Sequence, residues 1–209
     1  MKVSIYNIKG ENTGEMNLPK VFETKCNEKL ISQSIRVFLN NQRKSNAQAK
    51  DRGDVTGTTK KMWAQKGTGR ARHSTAKAAQ FVGGGIPHGP VSEKNYKLSL
   101  PKAQRRLALN SLLSKFAHSK KILVIDLFKE LEPKTKVAIK LISCLEKENE
   151  VLSKSQKIGI ITSNMPLNIK RAFGNIPGIK LLSLKSLNTY DVANCNYLFF
   201  SKKAINDIK

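Results

Sequence analysis

Ile122-Leu123-Val124-Ile125 and Ile158-Gly159-Ile160-Ile161 are short runs without a polar side chain. A strand with one wet face alternates apolar and polar residues, so runs apolar throughout predict strands buried on both faces. Between them, residues 134–146 are helical, with Val137, Ile139, Leu141, Ile142 and Leu145 as the apolar positions. A short helix is expected near 168–173, and further apolar runs occupy 179–184 and 197–200. Short apolar runs separated by helices predict an α/β fold, a mostly parallel sheet flanked by helices.

The first half of the chain fits the same layer plan. Residues 2–7 alternate as a half-buried strand does. From Asn27 to about Ala49 the pattern is helical, with Leu30, Ile31, Ser34, Ile35, Phe38 and Leu39 on one face. Asn27 is the expected cap, and Glu28 lies in the first turn. Pro101 suits a first helical residue, and Leu107, Ala108, Leu112, Leu113 and Phe116 mark the apolar face that follows. The polar face of that helix carries Lys102, Arg105, Arg106 and Lys115. A chain of 209 residues supports one substantial core. We therefore expect one α/β globular domain over 1–209, with 50–97 inserted in it as a long extended basic loop.

The charge narrows the partners. Lys and Arg number 38 against 15 Asp and Glu, a formal net charge of +23. So much self-repulsion calls for a polyanion, either nucleic acid or an anionic membrane. No apolar run approaches the roughly 20 residues that span a bilayer, and the N-terminus has neither a signal-peptide nor a transit pattern. Nucleic acid is the better reading, and no membrane partner is expected. Cys26, Cys144 and Cys195 are few and far apart. They read as reduced thiols of a cytosol-like compartment, without a disulfide framework.

The positive charge is purest in the middle. Residues 55–92 contain Lys60, Lys61, Lys66, Arg70, Arg72 and Lys77 and no acid at all. The same stretch carries Gly57, Gly67, Gly69, Gly83, Gly84, Gly85 and Gly89 and few large apolar residues, so it makes no core of its own. Connections in compact domains usually run about 4–6 residues, so a segment of this length is functional, disordered or misread. Closely spaced glycines let backbones approach each other, and Lys and Arg neutralise phosphates. Trp63 and Phe81 offer flat surfaces for bases or sugars, and His73 adds a donor. The chemistry is that of an RNA-penetrating loop.

Lys61-Met62-Trp63-Ala64-Gln65-Lys66-Gly67-Thr68-Gly69-Arg70-Ala71-Arg72, with Gly83-Gly84-Gly85 and Gly89-Pro90 downstream, resembles the loop of the bacterial-type large-subunit ribosomal protein L-four family. The stretch from Gln65 to Arg72 matches that family's motif without a break, and the order of elements agrees along the whole chain. The resemblance implies a structural protein of the large ribosomal subunit, bound to 23S-type rRNA and to neighbouring large-subunit proteins, and not a homo-oligomer. It implies a cytoplasmic location in the ribosome, an organellar ribosome being the alternative. Carried over, Trp63, Gln65, Lys66, Gly67, Thr68, Gly69 and Arg70 lie at or near a loop tip at the peptide exit tunnel, close to the nascent peptide. Lys60, Lys61, Arg72 and Lys77 line the RNA-buried stem. Apart from the resemblance, His73 and, on the following helix, Lys102, Arg105 and Arg106 are further candidates for RNA contact, ordinary helix surface being the alternative for the two arginines. Met62 replaces the family's usual proline and Ala64 an arginine, implying a tip more flexible and one charge poorer. Gln80-Phe81-Val82 stands where many relatives carry a basic or tryptophan-containing run.

Enzymatic readings find little support. Gly67-Thr68-Gly69-Arg70-Ala71-Arg72 begins like a dinucleotide fingerprint but ends in arginine, and it neither follows a strand nor opens a helix. No GxxxxGK[ST] occurs, and His73, His88 and His118 lack metal-ligand spacing. No catalytic residue, cofactor or metal is expected. The alternative from another class is an α/β RNA-modifying enzyme, methyltransferase-like, with a basic RNA-binding insertion. It needs a small-molecule pocket at the strand ends and a catalytic group beside it.

Overall fold

The computed structural model describes residues 1–126, 131–148 and 157–208. The chain divides into two compact units, Met1–Phe38 with Ser99–Lys209, and Leu39–Leu98. The first is the α/β unit. Its strands among the described residues are β1 (Lys2–Tyr6), β2 (Asn12–Asn17), β3 (Ile122–Ile125), β4 (Ile158–Thr162), β5 (Ile179–Ser183) and β6 (Tyr197–Ser201). They form one sheet in the order β2-β1-β3-β6-β4-β5. All pairings are parallel except β1 with β2, an antiparallel hairpin at the edge. The expected mostly parallel sheet with helices is therefore present, and the last strand lies in its interior, between β3 and β4.

The helices are α1 (Glu28–Gln42), α2 (Lys102–His118), α3 (Thr135–Glu148), α4 (Leu167–Phe173), α5 (Thr189–Ala193) and α6 (Lys202–Asp207). Alternate strand residues feed two separate cores, which explains the unbroken apolar runs. Ile122, Val124, Ile161, Leu198 and Phe200 pack with Ile31 of α1 and with Leu112, Leu113 and Phe116 of α2. Leu123, Ile125, Ile158, Ile160, Tyr197 and Phe199 pack with Ala138, Leu141 and Leu145 of α3 and with Ile169 and Phe173 of α4. Phe199 and Phe200 are fully buried on opposite faces. Each such side chain contributes about 1.5–3 kcal/mol relative to exposure.

Gly159 interrupts the β4 run for a steric reason. A Cβ there would lie 2.8 Å from Cys195 Sγ and 3.2 Å from Leu198 Cδ2. Burial pushes the Cys195 thiol up to about 11, against the opposing pull of Lys180. It is therefore protonated at neutral pH and packs as a small apolar group.

Several boundaries differ from expectation. Asn27 caps α1, its Oδ1 accepting from Leu30 N at 3.2 Å, but the helix stops at Gln42 and does not reach Ala49. The apolar stripe ends at Leu39, and a helix without a face to bury has little to hold it. Pro101 is the residue before α2, in extended backbone, and Leu107 is 45% exposed instead of facing the core. The strand β2 escapes the period-2 reading because, at a sheet edge, only Met16 is even partly buried. α5 and α6 are one to two turns long, and each is started by a side-chain cap. Asn188 accepts from Asp191 N and Ser201 from Ala204 N.

Candidate nucleic-acid interface

The unit Leu39–Leu98 contains no strand or helix beyond the end of α1. Its two halves are cross-linked at intervals. At the base, the Asn41 amide donates to Leu98 O at 3.0 Å and its Oδ1 accepts from Leu98 N at 2.9 Å. Ser45 Oγ donates to Val91 O, and Ala49 N to Pro90 O at 3.0 Å. Further out, Ile86 N donates to Lys50 O and Gly85 N to Lys77 O, both at 2.9 Å. Asp51 organises a turn beside them, its Oδ1 accepting from Gly53 N and Asp54 N. Within the unit only Gly85 is buried.

The outer part is organised by rings. Trp63 Nε1 donates to Ala71 O at 2.9 Å, closing the turn that carries Gln65 to Arg70. Trp63 meets His73 edge to face at 5.7 Å, and His73 meets Phe81 in the same way at 4.9 Å. The Arg70 guanidinium lies over the outer ring, 5.9 Å from the Trp63 centroid. A His73 ring nitrogen is 2.6 Å from Gln80 Nε2. So the residues read as flat surfaces and a donor for RNA also contact one another within the loop. Trp63, His73 and Phe81 are half-buried and form a small ladder beside the Gln65–Arg70 turn.

The cations behave differently. Lys60, Lys61, Lys66, Arg70 and Arg72 are exposed and Lys77 is half-buried. The unit holds twelve Lys and Arg against three acids, Asp51, Asp54 and Glu93. Among the described residues none of its lysines or arginines is in an ion pair. Lys61 Nζ reaches a neutral partner, Gln65 Oε1, at 2.6 Å. Gly67 and Gly69 take positive φ, +86° and +63°, in open space, so the backbone around the exposed Thr68 turns where a side chain would be strained. This is a surface of uncompensated positive charge on a backbone of short turns. Lys102, Arg105 and Arg106 belong to the other unit, on the exposed first turns of α2.

A cavity of about 240 Å³ opens beside Lys157, Gly178 and Asn194, where β4 and β5 begin. Parallel sheets bind small molecules at the opposite, carboxyl ends of their strands. Among the described residues no helix is long and apolar enough to cross a membrane.

The model of the "Ribosomal protein L4/L1 family" matches residues 16–209. The chain belongs to the ribosomal protein L4/L1 family. A protein of Thermoanaerobacter sp. (strain X514), named large ribosomal subunit protein uL4, is 36% identical over 209 residues, covering 100% of this chain and 97% of its own. The protein of that name from Natranaerobius thermophilus is 37% identical with the same coverage, and one from Clostridium botulinum (strain 657 / Type Ba4) is 32% identical. Ribosomal proteins of the L4/L1 family are structural, which agrees with the non-enzymatic reading and sets the RNA-modifying alternative aside.

Sequence reasoning passed over Asn41 and Asp51, which help to hold the L4/L1-type loop in shape, and read Gln80 and Gly85 only as parts of the motif. The Asp51-Arg52-Gly53-Asp54 string is the one available signal, since an Asp two residues before Gly favours an Asx turn. Arg43 was missed too; its guanidinium packs 4.2 Å over the Tyr96 ring.

Proposed function

We propose that this chain is a structural constituent of the large ribosomal subunit that binds 23S-type rRNA through the exposed cations of Leu39–Leu98. The supporting observation is the unbroken string Gln65 to Arg72, displayed on a turn whose charges meet no acid, in a member of a ribosomal protein family. Lys60, Lys61, Lys66, Arg70, Arg72 and Lys77 neutralise phosphates and release counterions, each contact adding about −0.7 to −0.9 to the log–log salt slope of binding. Trp63 and His73 act one step back, shaping the turn that presents Gln65, Lys66, Gly67, Thr68, Gly69 and Arg70. Lys102, Arg105 and Arg106 add a second contact from α2. The tip, with Lys66, lies toward the peptide exit tunnel and the nascent peptide, and neighbouring large-subunit proteins are the remaining partners. The chain acts as one copy, in the ribosome of the cytoplasm. In a sucrose gradient it is expected to co-sediment with large subunits at one copy each; a soluble pool absent from subunits would sink this reading.

Folding of the loop is completed on RNA. Between residues 58 and 89 only the backbone N–H groups of Phe81, Gly84, Gly85 and Ile86 donate to backbone carbonyls among the described residues. Lys60 and Lys77 donate to the Thr58 and Thr75 hydroxyls. With one buried residue, the unit has little apolar burial to offset the ordering of its backbone, about 1–2 kcal/mol per residue. In the free protein its amides are expected to exchange orders of magnitude faster than those of β4 and β6, and to slow on binding rRNA. Protection equal to the sheet's in the free protein would show a loop that folds alone.

A further inference from the structure

One stretch of the cationic unit has no charge at all. Ala78-Ala79-Gln80-Phe81-Val82-Gly83-Gly84-Gly85-Ile86-Pro87 runs ten residues without Lys, Arg, Asp or Glu. It folds as a compact knob of two consecutive turns. Phe81 N donates to Ala78 O at 3.0 Å, Gly84 N to Phe81 O at 2.9 Å, and Gly85 N to Lys77 O closes the knob. Gly83 has φ +81° at the third position of the second turn, the requirement of a type II turn. Gly84 must be glycine because a Cβ there would lie 2.0 Å from Ala78 O. The two large apolar residues of the knob's apex part company. Phe81 turns inward onto His73, while Val82 is as exposed as in an open chain, at 107%. Ile86 is 56% exposed on the same knob.

Resting on the reading that this unit meets rRNA, we infer that the 78–87 knob is an apolar docking point for a nucleobase, with Val82 packed on the face of an unpaired base. Phosphate is the wrong partner, since the knob has no cation to offer it. A protein partner is a poor fit, because a stable protein interface buries about 800 Å² per side and the knob displays two aliphatic side chains. A single base face matches that size. The turn also leaves the N–H groups of Val82 and Gly83 without an acceptor among the described residues, so base-edge oxygens and nitrogens can take them. Unpaired bases are the part of RNA that apolar and backbone groups read. The knob's recognition is therefore insensitive to salt, unlike that of the cations around it.

The test uses the full chain and protein-free large-subunit rRNA, titrated over a range of salt. Val82→Ala is expected to weaken binding about three- to tenfold, as for loss of part of one buried aliphatic side chain, with the salt slope unchanged and with Val82→Ile restoring affinity. Because the Val82 side chain is fully exposed, the variant tests contact and not folding. Unchanged affinity, or a loss accompanied by a shallower slope, overturns the inference. A photoreactive diazirine side chain at position 82 gives the second readout. A covalent adduct on a base supports the inference; an adduct only on ribose or phosphate, or in assembled particles only on a protein, overturns it. If the wild-type chain itself fails to bind the rRNA, it is the wider reading that has failed, and the knob with it.

Discussion

Replacing Arg70 and Arg72 together by Glu is expected to block entry of the chain into large subunits while the α/β unit stays folded. Both side chains are exposed, and neither is in an ion pair among the described residues. Their intramolecular value is small. Arg70 loses its position over Trp63, a contact worth about 0.5–1 kcal/mol at exposed sites, and Arg72 loses less. Against rRNA the change is large. Hydrogen bonds to charged groups contribute about 1.5–3 kcal/mol each, so two lost contacts weaken binding on the order of 100-fold or more before like-charge repulsion is added. The salt slope should also become shallower by about 1.4–1.8 for two phosphates no longer neutralised. The charge-preserving pair, Arg70→Lys with Arg72→Lys, should retain most of the slope. Quantifying the glutamate variant in purified subunits, beside the thermal midpoint of the isolated chain, separates the outcomes. Wild-type incorporation would remove both arginines from the interface.

Why the fold could be read and parts of the interface could not follows from what each is made of. The strands β3, β4 and β6 are buried on both faces, and burial writes itself into sequence as unbroken Ile, Leu, Val and Phe. β2 lies at an edge with nearly every side chain in water, so no periodicity marks it. α5 rests on an Asn188 cap and two buried residues, Thr189 and Val192, too few to produce a stripe. In the loop, the unbroken Gln65–Arg72 motif pointed to the family. The contacts within the loop were hidden. That Trp63 meets His73, and His73 meets Phe81, involves residues well downstream along the chain, and only coordinates bring them together. The same holds for the two ends of Leu39–Leu98, where the Asn41 amide bonds to Leu98, a contact that no pattern in the sequence marks.

Gly85 is the position at which a single small side chain should do most harm to the loop. It is the one buried residue of Leu39–Leu98, and it lies where backbone segments cross. An added Cβ would stand 2.3 Å from Asp51 C, 2.4 Å from Arg52 N and 2.6 Å from Asp51 O. These are main-chain atoms, so no rotamer change relieves the clash, and the Asp51 turn must move away from the 77–86 segment. That movement breaks the bond from Ile86 N to Lys50 O, which ties the 77–86 segment to the Asp51 turn. A unit with so little burial has no reserve to absorb the loss. Gly85→Val is therefore expected to reduce incorporation into large subunits at least tenfold, a cost above about 1.4 kcal/mol. The two cores of the α/β unit contain no residue from 39–98, so its melting temperature should hold. Gly67→Ala is the matched control. Its φ of +86° costs about 1–2 kcal/mol of local strain, but a Cβ there meets nothing, so the crossing survives and only the tip is perturbed. If Gly85→Val entered subunits as well as the wild type, the crossing of Asp51, Lys77 and Gly85 would not be the conformation that rRNA receives.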